Sequence, residues 1–171
     1  MAQDNEERVL GEPYRAKRHG RTYTSKSIAI EFVGPEHRFY RADIEIEGIA
    51  HGGPSYEGRI FINNPEATEE TPTTLDQGYA GSFHIFGHGG CLGDEGHCDL
   101  RSNADVYDFR APNPLTPAHK RVTVTDALIQ ACKQGPDVTV TVVPVVNTTN
   151  ELVDGEEEVF HCTSMHFLTY N

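Results

Sequence analysis

Short runs in which every second residue is apolar, most of them bounded by glycine or proline, constrain this chain more than any other feature of its sequence. Arg41–Glu47 is the clearest. Ala42, Ile44 and Ile46 fall on one side of an extended backbone, and Asp43, Glu45 and Glu47 on the other. A half-buried antiparallel strand has this pattern. Ser27–Val33 likewise sets Ile28, Ile30 and Phe32 on one face, and Arg59–Asn63 and Tyr79–Phe86 supply further strands. Val138–Val146 is the most β-branched run, and Arg121–Thr125 and Val159–Tyr170 complete the set. The single helical stretch is Asp126–Lys133, with Thr125 in the N-cap position and Gly135-Pro136 as the stop. These signals predict an all-β fold: an antiparallel β-sandwich of about seven or eight strands with one short helix. Residues 1–26 are polar and aperiodic and read as an N-terminal arm, leaving 27–171 for the sandwich.

Composition narrows the partners. Sixteen glycines and ten prolines in 171 residues fit short strands and long loops rather than a helical bundle. A net charge of −12 argues against nucleic acid or an anionic membrane as a ligand, because phosphate binding needs a basic surface. The N-terminus has no apolar leader core, and no long apolar run offers a membrane span. The default expectation is a cytoplasmic protein with reduced thiols, unless it is exported together with a partner.

One segment departs from ordinary composition. Ser82–Leu100 holds His84, His88, His97, Cys91 and Cys98, spaced by five glycines. Imidazole and thiolate are ligands for copper and zinc, and a soft mixed set favours Cu(I) or Zn(II), copper before zinc here. The spacing is not that of a zinc finger. A Cu(I) site needs only two or three soft ligands, so irregular spacing damages that reading less. Two other readings stay open: a Cys91–Cys98 disulfide, and a hydrogen-bonded histidine corner that buttresses the sandwich. His84 alternates with Phe83 and Ile85 and so points away from the core that they define. A second group, His161, Cys162, Met165 and His166, also has copper-type ligands. Alternation on a strand sends His161 and Met165 one way and Cys162 and His166 the other, so core packing is the better reading there. His19, His37 and His119 have no partners in sequence. No phosphate loop, nucleophile elbow or H-E-x-x-H motif is present.

From about Arg41 to Tyr170 the order of features resembles the C-terminal domain of plant-type polyphenol oxidases and tyrosinases. Arg59-Ile60-Phe61-Ile62-Asn63 is a loose counterpart of that domain's K-F-D-V strand, and Ala80-Gly81-Ser82-Phe83 matches its A-G-S-F strand letter for letter, with His84 and His88 following. Val122–Leu128 parallels the L-x-L-G-I-T-E-L-L element, and Val138–Pro144 the valine-rich strand ending in V-P. The insertion GHGGCLGDEGHC is foreign to the plant domain.

The resemblance implies a β-sandwich that accompanies a type 3 copper oxidase. Nothing in the chain corresponds to the helical domain that supplies three histidines to each copper. The expectation is therefore a non-catalytic accessory domain, partnered by a type 3 copper oxidase catalytic domain or subunit. It would shield that enzyme's copper or deliver Cu(I) through the His/Cys loop. A small copper-dependent oxidase or oxygenase using His84, His88 and His97, and a structural interaction domain with a Cys91–Cys98 disulfide, are the alternatives.

Overall fold

The computed structural model describes residues 7–10, 17–19, 22–30, 39–87, 116–146 and 159–170. Its strands are β1 (Glu7–Leu10), β2 (Lys17–His19), β3 (Thr22–Thr24), β4 (Ile28–Ala29), β5 (Arg41–Ile49), β6 (Tyr56–Ile62), β7 (Tyr79–Ile85), β8 (Ala118–Thr123), β9 (Asp137–Val138), β10 (Val140–Val146) and β11 (Ser164–Tyr170). One α-helix among the described residues, α1 (Thr125–Cys132), follows β8. One sheet has the order β1-β11-β5-β8, a second β2-β3-β10-β6-β7, and β4 with β9 forms a small third. Every pairing is antiparallel. The all-β sandwich with one helix is thus what the alternation predicts, with more and shorter strands. No described helix is long and apolar enough to cross a membrane.

The core lies between the two large sheets. Ile44, Ile46, Met165 and Phe167 project from the first, and Ile60, Ile62, Val140, Val142, Phe83 and Ile85 from the second, all 5% exposed or less. Phe160, on the approach to β11, is fully buried and sets its ring against Tyr23, Tyr56 and Phe83 at centroid distances of 5.1, 6.4 and 6.0 Å. Burial of one such side chain stabilises by roughly 1.5–3 kcal/mol. Leu128 and Ala127 of α1 join the same core. Ala67 packs on Phe61 and Val143 outside the second sheet, so the acidic 64–77 loop covers part of that face.

Two local expectations need adjustment. Val124, not Thr125, takes the cap position of α1. The Thr125 hydroxyl instead accepts a 3.0 Å hydrogen bond from the Ala42 amide, tying the helix start to β5. The last strand begins at Ser164 rather than Val159, although the preceding residues still bond to β5: Thr163 N–H donates to Glu47 O, and Ala50 N–H to His161 O. The arm supplies strands as well, since β1 pairs with β11, β2 with β3 and β3 with β10.

The AGSF strand has a local cause. Gly81 sits at φ 136°, and a Cβ there would lie 2.9 Å from Val122 Cγ1. A bare Cα at this bulge lets the edges of the two sheets, β7 and β8, approach each other.

Candidate functional site

The outer face of the first sheet holds a close group of titratable side chains. Alternation along β5 puts Arg41, Asp43, Glu45 and Glu47 there, opposite the core-facing Ala42, Ile44 and Ile46. Register then decides what they meet. Glu45 lies directly across from His166 of β11 on one side and Arg121 of β8 on the other. Glu47 lies across from Ser164, and Asp43 from Leu168 and Thr123.

Three donors converge on the Glu45 carboxylate. Arg121 Nη2 donates to Oε1 at 2.8 Å, and His119 Nε2 stands 2.8 Å from the same oxygen. His166 Nε2 is 2.8 Å from Oε2. Because the carboxylate only accepts, both imidazoles must present Nε2–H to it. The Arg121 hydrogen bond is the chief cause that lowers the Glu45 pKa from 4.5 to about 2. The His166 and His119 bonds assist, and partial burial opposes them. The group is held tightly: the Glu45 side chain is 11% exposed and that of His166 15%, against 54% for His119 and 41% for Arg121.

Neighbouring contacts extend the network. Ser164 Oγ donates to Glu47 Oε2 at 2.9 Å. Arg121 Nη1 donates to the Tyr170 hydroxyl at 3.1 Å, and the Arg41 guanidinium lies 5.4 Å from the Tyr170 ring centroid. Arg41 also grips Asp43 through both carboxylate oxygens, at 2.9 and 2.8 Å, and the Asp43 side chain is wholly buried. Donor atoms of Glu45, Glu47 and His166 all lie within 4.8 Å of one another, which is ligand-like spacing for a single ion.

The residues singled out from sequence are distributed differently. His84 is exposed on the outer face of the second sheet, across from Glu57, as its alternation with Phe83 and Ile85 requires. His88, Cys91, His97 and Cys98 lie outside the described residues. Of the second group, Met165 is in the core at 1% exposure, and Cys162 is a half-buried free thiol whose pKa burial pushes up to about 11. A thiol in that state is a poor ligand at neutral pH. His161 is exposed, and only His166 joins a titratable cluster. Sequence reading missed His119, Glu45 and Glu47. The one available signal was the acidic side of Arg41–Glu47, which looks like a solvated face until β8 and β11 are placed beside it.

No protein-family model matches the chain, and no curated protein sequence does either. Solved structures do. Recombinant latent aurone synthase (polyphenol oxidase), co-crystallised with hexatungstotellurate(VI), superposes with a TM-score of 0.51 at 15% identity, over 92% of this chain and 26% of that one. Latent aurone synthase from its natural source gives 0.50 at 18% identity, over 92% and 26%. This chain has the β fold found in part of a polyphenol oxidase. It spans about a quarter of the length of those structures.

His51, His84, His119 and His166 do not form a type 3 dicopper centre, which takes three imidazoles for each of two ions. His119 and His166 stand on the outer face of the first sheet and His84 on that of the second. His51 Nε2 is occupied with the Thr116 carbonyl at 2.7 Å.

Proposed function

We propose that this chain is a non-catalytic accessory domain of the tyrosinase and polyphenol oxidase type, covering the copper site of a type 3 copper oxidase. The supporting observation is the fold match: nearly the whole chain superposes on a quarter of a polyphenol oxidase, the relation of a module to a larger enzyme. The surface agrees with a docking role. Phe86, at the end of β7, is 83% exposed and Tyr40 61% exposed, and a protein partner gains by burying such rings. The finer part of the proposal is that the 84–98 segment, which begins beside Phe86, holds Cu(I) through Cys91 and Cys98 and passes it to the oxidase by exchange with neighbouring imidazoles.

The test is titration of the purified chain into a type 3 oxidase catalytic domain from which its own β-domain has been cut, following catechol oxidation. Saturable inhibition that weakens with Phe86→Ser supports the covering role. An unchanged rate at a large molar excess overturns it. Copper delivery is tested separately by Cu(I) competition with a chelator. Equal affinity of the parent and a Cys91→Ser/Cys98→Ser variant would dismiss that mechanism and leave the covering role standing.

A further inference from the structure

We propose that Glu45, Glu47 and His166 form a surface site for a divalent transition-metal ion of the Cu(II)/Zn(II) class on the first sheet. A mixed imidazole and carboxylate set is the donor chemistry of borderline divalent ions, not of Cu(I). It does not depend on the accessory-domain reading.

Three features of the face carry the inference. The first is spacing. Ligand bonds of about 2.0 Å at right angles place neighbouring donor atoms about 2.8–2.9 Å apart, and a tetrahedral ion places them about 3.3 Å apart. His166 Nε2 and Glu45 Oε2 are already 2.8 Å apart, so an ion needs little rearrangement and tetragonal Cu(II) needs least. Binding requires only that His166 move its proton from Nε2 to Nδ1. The second is charge. Arg121 is bonded to Glu45 and Arg41 to Asp43. Among the described residues the Glu47 carboxylate, close to His166, is bonded to the Ser164 hydroxyl and to no guanidinium. The third is division of labour on Glu45. Arg121 and His119 hold Oε1 and so fix the carboxylate, while Oε2 lies 2.8 Å from His166, with Glu47 two residues along the same strand face. The exposed Glu47 leaves the site open to an ion from solvent.

Substoichiometric Cu(II) added to the intact ¹⁵N-labelled chain gives a local readout, because paramagnetic broadening marks residues near the ion wherever else copper also binds. The expected result is selective loss of amide signals around 44–48 and 164–167, reversed by excess Zn(II), with nitrogen splitting from one imidazole in the Cu(II) spin-resonance spectrum. Glu47→Gln, a change at an exposed position, should weaken this binding on the order of 10–100-fold. His166→Asn should abolish it, with circular dichroism confirming the fold of both variants. Broadening confined to other residues, or unaltered in Glu47→Gln and His166→Asn, would overturn the proposal.

Discussion

Replacing Glu45 with glutamine keeps the shape of the side chain and deletes the charge on which Arg121, His119 and His166 converge. The size of the loss follows from the pKa. A carboxylate lowered from 4.5 to about 2 is favoured in its ionised form by about 3 kcal/mol, at about 1.4 kcal/mol per unit. Two of the three donors are 41% and 54% exposed, so solvent screens much of that interaction. The expected cost of Glu45→Gln at pH 6 is therefore about 1–2 kcal/mol. The sign with pH is fixed by linkage. The folded-state pKa is depressed, so the stabilisation is present in full above the unfolded value near 4.5 and is lost as pH falls through about 2. Urea unfolding of parent and variant at pH 6, 4 and 2.5 measures this directly. The gap should be widest at pH 6 and narrow steadily below 4.5. A gap of the same size at pH 6 and 2.5 would refute the assignment, because a loss of shape or packing does not titrate with this carboxylate.

Other expectations follow from the core and its edges. Phe160→Ala empties the centre of the aromatic cluster and should cost about 3–5 kcal/mol in chemical unfolding, with the urea slope unchanged. Gly78→Ala places a Cβ 2.3 Å from the Ile62 carbonyl oxygen at a φ of 80°, so it should destabilise by more than the ~1 kcal/mol of an ordinary left-handed substitution, visible as a lower thermal midpoint. Cys162 should react slowly with a thiol reagent at pH 8 in the native protein and at the ordinary rate in denaturant, because burial raises its pKa to about 11. Peptide mapping of the labelled chain distinguishes it from the other cysteines.

The strands were legible because alternation is a local property. Arg41–Glu47 and Tyr79–Phe86 reveal their core-facing residues by alternation, Val138–Val146 shows its strand by its β-branched composition, and each overlaps a strand of the structure. What depends on the neighbours was not legible. Thr22–Thr24 has too few residues to show a period, yet it pairs with β10. Thr125 has the chemistry of a cap, but the Ala42 amide claims its hydroxyl. Met165 and His166 look equivalent as copper-type ligands, and only the strand's facing separates a core residue from one on the ionic face.

The Glu45 cluster is the extreme case of that limit. Its members come from three strands, with Arg121 and His166 standing 76 and 121 residues along the chain from Glu45. A slip of one residue in either pairing would turn Glu45 toward the core or face it with Phe167 instead of His166. The slip is resisted because Ile44 and Ile46 on the reverse side are fully buried, so the apolar pattern that could be read from sequence fixes the polar constellation that could not. β5 is also an interior strand, flanked by β11 and β8, and β11 is itself covered by β1. The Glu45 carboxylate is thus mounted on backbone paired on both sides, and His166 stands on β11 directly across from it, one residue past the end of the β1 ladder. A constellation held in this way is organised before any ligand arrives, and its partners lose little freedom when one binds. If binding to it is found, the affinity should therefore respond more to the register-setting isoleucines than their distance from the ion suggests. An Ile46→Ala substitution that leaves the sheet folded but loosens β5 would weaken the site without touching a ligand.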